Sequence, residues 1–211
     1  MKKIAILLAA IFAIVACNVC AAETLSKKEI KQIEKDAKTQ AKQYEKEGWK
    51  VSPGAMPIQR QLEKAFTMQY EKAEDGEDLY IMGNGQSVGK SFDAAKKQAL
   101  EMAKQEIISK LQSEMATLVE SSVANDQLDS EDAESITRVI SEGSSFSKVS
   151  LGRVVTATEL YRNIKGTKSN EVLVRVGYNY NAAMNAAKKA IRENLEKRGD
   201  SVRERLNELL K

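Results

Sequence analysis

Met82-Gly83-Asn84-Gly85-Gln86-Ser87-Val88-Gly89-Lys90-Ser91 is the stretch that most nearly spells a chemistry, the cradling of a nucleotide phosphate by backbone amides. In a phosphate loop the lysine of the Gly-Lys-Ser ending reaches the phosphates and the serine hydroxyl meets magnesium. The motif needs a glycine five positions before that last glycine, and counting back from Gly89 the place holds Asn84. Gly83 stands one residue too early and Gly85 one too late. The spacing is physical, because a slip of one residue turns the amides away from the anion they should surround. The dinucleotide pattern fails as well, since Gly83-x-Gly85 is followed by one residue too many before Gly89. No later apolar strand ends in an aspartate for magnesium. The expectation is structural: the glycines make a bulge or a tight strand exit, Ser91 caps a helix, and Lys90 binds no nucleotide.

Other reactive constellations are missing. The chain has no histidine, which removes the usual general base near neutral pH and the commonest metal ligand. Its two cysteines are Cys17 and Cys20, so nothing later can be a thiolate nucleophile, a thiolate metal ligand or a disulfide partner. Acidic clusters occur at Asp75, Glu77 and Asp78 and at Glu131, Asp132 and Glu134, in polar loops or helix starts where carboxylates favour the dipole. None is framed by apolar residues that would raise a pKa for acid catalysis, and no calcium-loop spacing is present. The expectation is no enzyme activity, no catalytic residue, no cofactor and no metal.

One residue keeps a plausible chemical fate. Lys2 and Lys3 precede an uncharged apolar run, Ile4 to Ala16, too short to span a bilayer as a helix but suited to the core of a secretory signal. Ile14-Val15-Ala16-Cys17 then reads as a lipobox, with Cys17 the site of lipidation. A second ending competes: general signal-peptidase cleavage near Ala21 or Ala22, which would leave a mature chain with no cysteine. Either way the chain is expected to be exported, to the periplasmic face of the outer membrane if lipidated or to the soluble periplasm if not. Without the signal the formal charge falls from +3 to about +1, and the basic and acidic residues are finely mixed. A nucleic-acid partner, which needs a clustered basic face, is not expected.

The elements that must position any site follow from periodicity. Ser26-Lys27-Lys28-Glu29 has capping-box spacing, and Ile30, Ile33, Ala37, Ala41 and Tyr44 then mark a narrow helical stripe. A break from Gly48 to Pro57 holds both prolines and the single tryptophan, Trp49, read as a packing anchor rather than a ligand platform. Pro57 opens a second helix carrying Ile58, Leu62, Ala65, Phe66 and Tyr70. Asp78 to Val88 reads as a strand. A long helix follows from about Ser91 to Val119, with Phe92, Ala95, Ala99, Ala103, Ile107, Leu111, Met115 and Leu118 as its core stripe. Its alanine-rich first half permits close approach to a sheet.

After a polar loop from Ser121 to Asp129, the pattern predicts a shorter helix over Ser130 to Ser141, then a strand over Phe146 to Arg162. A second strand, Glu171 to Tyr180, places Val172, Val174, Val176, Tyr178 and Tyr180 on one face, and the two strands make an antiparallel hairpin. Met184, Ala187, Ile191 and Leu195 line a closing helix, with a break at Gly199-Asp200. The stretch Arg192 to Lys211 suits either a cap on the chain's own domain or a partner helix. The fold expected is α+β: a small antiparallel-rich sheet of about three strands packed by a long helix, with additional N- and C-terminal helices. The organisation expected is signal 1–22, helical segment 23–76, α+β core 77–181 and C-terminal helices 182–211.

Gly83-Asn84-Gly85-Gln86-Ser87, the alanine-spaced helix Ala94-Ala95-x-x-x-Ala99-x-x-x-Ala103 and the strand Val172-Leu173-Val174-Arg175-Val176 together resemble the Lpp-twenty family of small bacterial envelope lipoproteins. Gly48-Trp49-Lys50-Val51-Ser52-Pro53-Gly54 is similar to members of that group too. The resemblance covers roughly Leu79 to Tyr180. It implies a helix packed on a small sheet, no enzyme activity and no family active site. The function expected is a non-enzymatic interaction, assembly or structural module of the envelope, with the membrane and an envelope protein as partners. The alternative is a soluble periplasmic small-ligand binder using Trp49, Tyr178 and Tyr180.

Overall fold

Val172, Val174 and Val176 are all buried, and the residues between them, Leu173 and Arg175, are half-buried. The strand they form is the centre of the sheet, and both of its neighbours run antiparallel to it. The computed structural model describes residues 25–73, 76–125, 130–141 and 151–198. The order is α1 (Lys27–Lys46), α2 (Ile58–Tyr70), β1 (Tyr80–Gly89), α3 (Phe92–Ala124), α4 (Ser130–Ser141), β2 (Val155–Asn163), β3 (Asn170–Asn179) and α5 (Tyr180–Arg198). The strands pair in the order β1-β3-β2. The chain is thus α+β, with a three-stranded antiparallel sheet packed by a long helix.

Helices cover both faces of the sheet. On one, α3 crosses β1 and β3, and its Ala95, Ala99, Ala103, Ile107 and Leu111 join Val172, Val174 and Val176 in the main core. The buried sides of α4 (Ile136, Val139, Ile140) and α5 (Ala187, Ile191, Leu195) complete it. On the other face, Leu160 and the half-buried Leu173 pack on Ala37 and Ala41 of α1, Ile58 and Leu62 of α2, and Trp49 between them.

The first face is closed by glycines. Register pairs Gly83 with Val176 and Gly85 with Val174, so both glycines point at α3. A side-chain carbon on Gly83 would collide with the Ala103 carbonyl, and one on Gly85 with the Ala99 carbonyl. Two residues of strand advance about 6.8 Å and four of helix about 6 Å, so glycines two apart can track alanines four apart. Of the two roles expected for this glycine run, a bulge or a tight strand exit, the bulge is not there. The pairing from Tyr80 to Gly89 is regular, and the irregularity of the sheet lies between Thr156 and Thr158 of β2.

Other expectations need correction at their ends. Leu118 is 42% exposed while Val119 is buried, because beyond Met115 the helix faces α4 rather than the sheet. The polar run from Ser121 does not end the helix: the Ser121 and Ser122 hydroxyls donate to the Thr117 and Leu118 carbonyls, and α3 runs on to Ala124. Strand β2 begins only at Val155, opposite Gly177, since β3 gives way two residues later to α5. Tyr180 accordingly opens a helix instead of extending the strand face. Ile30 and Tyr70, at the ends of their stripes, are exposed. The expected strand residues 146–150 and the Gly199-Asp200 break lie outside the described residues.

Candidate functional site: the groove along β1

β1 is an edge strand, and the alternation of its backbone decides what it offers. Odd residues exchange hydrogen bonds with β3; even residues turn their N–H and C=O outward. Two of the outward groups are already covered by α3. Lys110 Nζ donates to the Met82 carbonyl at 2.8 Å, and the Asn84 N–H donates to Glu106 Oε2 at 2.8 Å. Lys110 and Glu106, one turn apart, are themselves paired at 2.8 Å. Together they form a clamp over Met82 and Asn84. The outward groups of Gln86 and Val88 have no such cover among the described residues.

Two clefts lie end to end along this edge. The first, about 240 Å³, is lined by Gln69 of α2, Tyr80 and Asn84 of β1, Lys110 and Glu114 of α3, Arg175 of β3 and Tyr180 of α5. The second, also about 240 Å³, continues past Asn84 beside Gly85, Gln86, Leu173 and Arg175, under the exposed side chain of Met102. Asn84 and Arg175 belong to both. The result is a groove bordering β1 from Tyr80 to Gln86, lined also by Leu173 and Arg175 of β3 and by Met102, Lys110 and Glu114 of α3.

The charge along the groove is uneven. Glu114 Oε2 is enclosed with no hydrogen-bond partner among the described residues. Burial pushes the Glu114 carboxyl above the usual carboxylate range, the Tyr180 hydroxyl bond opposes this, and Asp78 and Glu77 add to the upward push. Tyr180 is in turn pushed up to about 12, by burial first and then by Glu114. Further along, burial also opposes ionisation of Glu106, but bonds from Lys110 and the Asn84 amide outweigh it and hold that carboxyl below its ordinary value. One end of the groove is therefore acidic and under-satisfied, while its middle is neutralised by the clamp.

The residues singled out from sequence are placed as follows. Cys17 lies outside the described residues. Lys90 is exposed just beyond β1, and Ser91 caps α3 by accepting from the Ala94 N–H at 3.2 Å. The glycines before it are spent on packing, which leaves their amides in the sheet rather than around an anion. Trp49 is 4% exposed, meets Tyr44 edge-on and carries the Arg162 guanidinium 4.5 Å above its ring, as an anchor would. Tyr178 points to the α3 face, where its hydroxyl accepts from the Gly152 N–H, so it stands across the sheet from Trp49. Of the three aromatic residues considered for a ligand, only Tyr180 reaches a cleft.

Sequence reasoning missed Met102, Glu106, Lys110 and Glu114. The signal was present: they recur every four residues, one position before the core stripe Ala103, Ile107, Leu111 and Met115. Nothing in that spacing says that a strand edge lies beneath. Among the described residues no cluster of acidic, cysteine or histidine side chains could hold a metal ion, and no helix is long and apolar enough to cross a membrane. Comparison with known proteins returned no matching family model, no matching curated protein and no matching solved structure.

Proposed function

We propose that this chain is an exported, non-enzymatic envelope protein of the Lpp-twenty type, held by lipid on Cys17 at the periplasmic face of the outer membrane and acting as an interaction or assembly module. The observation that carries the reading is the order of residues Lys2 to Cys17: a basic start, a short apolar run, then Ile14-Val15-Ala16-Cys17. A single acyl chain holds a protein to a bilayer only marginally, so stable anchoring calls for more than one chain on that cysteine. The near-balance of charge in the rest of the chain supports a protein partner over a polyanion.

Metabolic labelling with a fatty acid, comparing the natural chain with Cys17→Ser, tests the anchor. Label on the first and none on the second is expected. No label on either would overturn the anchor and move the protein to the soluble periplasm. The interaction role is tested by crosslinking in intact cells, where a discrete larger species is expected and a clean monomer in every fraction would count against it.

A further inference from the structure

We infer that the groove along β1 receives an extended segment of a partner protein as a fourth strand of the sheet, with a lysine, arginine or free amino terminus of that segment at the Glu114 end. This deepens the interaction role proposed above and rests on it. Three independent features lead here. The outward N–H and C=O groups of Gln86 and Val88 are, among the described residues, an open hydrogen-bonding row, which sheet proteins ordinarily blunt. The two clefts, which share Asn84 and Arg175, border β1 from Tyr80 to Gln86, where that row begins. Met102, 47% exposed, overhangs it as an apolar lip, and Val88, 51% exposed, lies on the open row.

The clamp is the part of the edge that a strand would replace. An incoming N–H takes the Met82 carbonyl from Lys110, and an incoming C=O takes the Asn84 N–H from Glu106. Lys110 and Glu106 keep each other as partners, and a half-exposed pair one turn apart is loosely held. The edge is thus covered in the free protein and available to a competitor that supplies the same main-chain bonds. This is strand addition, in which the backbone provides affinity and alternate side chains provide selectivity.

Charge selects the occupant. The groove ends at Glu114 Oε2, which has no hydrogen-bond partner among the described residues, in the cleft also lined by Asp78, itself paired with Lys72, so a cation there satisfies an enclosed acceptor. A second copy of this chain fits less well. Each copy would bring its own α3 wall, with Met102, Glu106 and Lys110 projecting over the edge, and the two walls would meet above the joined strands. A single extended chain fits beneath one wall.

The test uses the full chain with Cys17→Ser, which separates it from the anchor question, and short fluorescent peptides of alternating valine and threonine as probes. One set carries lysine at either end, a second carries glutamine there, and a third is N-methylated on alternate amides. Saturable binding of the lysine set is expected, with the N-methylated set about tenfold weaker or worse, as the loss of main-chain bonds requires. Hydrogen exchange at Gln86 and Val88 is expected to slow when the lysine peptide binds. Gln86→Pro removes an outward N–H that no group among the described residues uses, a position an edge strand tolerates, and is expected to weaken binding about tenfold while the chain stays folded. Met102→Glu, on the exposed lip, provides the same test without touching the strand. Glu114→Gln is expected to abolish the preference for lysine over glutamine. The inference is overturned by the absence of binding from all three sets, or by binding that Gln86→Pro and Met102→Glu leave unchanged. It is also overturned by a dimer in sedimentation that Gln86→Pro dissolves, which would make the occupant a second copy. An interaction role could survive any of these results through another surface, and crosslinking would still report it.

Discussion

Against α3 the sheet presents Gly83, Gly85 and Gly89, and the helix answers with Ala95, Ala99 and Ala103. Against α1 and α2 it presents Leu160, Leu173 and Ala157, and the gap is filled by Trp49, Leu62 and Met68. Where β1 meets α3 on the first face, backbone meets backbone, and the helix main chain leaves little that is flexible to move. On the second, side chains meet side chains, and neighbours can partly relax into any space left. Two solutions to closing one small sheet thus differ in what they tolerate: the glycine face resists added atoms, and the tryptophan face resists removed ones.

The largest effect is expected where that difference is most severe. Gly85→Val places its Cβ inside the Ala99 carbonyl and near the Ala103 nitrogen, both part of a helix backbone that cannot shift alone. Loss of a cooperative thermal transition in circular dichroism is the expected outcome. A melting temperature within a few degrees of the natural chain would show that α3 can lift from the sheet, and the contrast between faces would fail.

A graded loss is expected on the other face. Trp49→Ala should leave a folded protein destabilised by about 3–5 kcal/mol in urea titration, the usual cost of emptying a large buried aromatic site. Trp49→Phe should recover most of it, because the ring beneath Arg162 is kept while the Nε1–H bond to Glu47 is lost. Equal damage from both variants would mean that the indole hydrogen bond, rather than packing, holds the anchor.

The smallest effect belongs to the edge where the two faces meet. Glu114 has its folded-state pKa raised by burial, so ionised Glu114 opposes folding near neutral pH and the opposition fades as pH falls through that raised value. Glu114→Gln should therefore raise the melting temperature at neutral pH by up to about 3 °C. The gain should shrink on acidification and vanish below the ordinary value of 4.5, where both states carry the proton. A gain independent of pH would trace the effect to packing and detach it from the enclosed charge.

Much of this architecture was legible residue by residue. Ser26 and Glu29 make the reciprocal capping box that their spacing announces, and Ser91 caps α3. The stretch Ser130–Ser141 is helical as expected, and the valines at 172, 174 and 176 face the core as their alternation requires. Errors gathered where an element's partner changed along its length. Leu118 belongs to the same local rhythm as Met115, but the helix had left the sheet for α4 by then. Tyr180 continues the alternation of β3, yet its N–H bonds to the Leu79 carbonyl and the chain turns into α5.

The groove was not legible, though its residues were in view. Met102, Glu106, Lys110 and Glu114 have a four-residue spacing of mixed polarity that usually marks the solvated flank of a long helix. Only the β1-β3-β2 order puts β1 at an edge, and only the close glycine–alanine approach brings that edge under this flank.

The sequence alone determined the α+β class, the helix caps, the inward valines and the absence of histidine and of cysteine beyond Cys20, because each depends on local spacing or on composition. Tertiary structure alone decided which strand was left at the edge, how much of that edge the Lys110–Glu106 clamp covers, and that one Glu114 oxygen is enclosed without a partner among the described residues. Those facts depend on which distant segments meet, and strand order is set by the summed packing of all the helices on both faces, which no local pattern encodes.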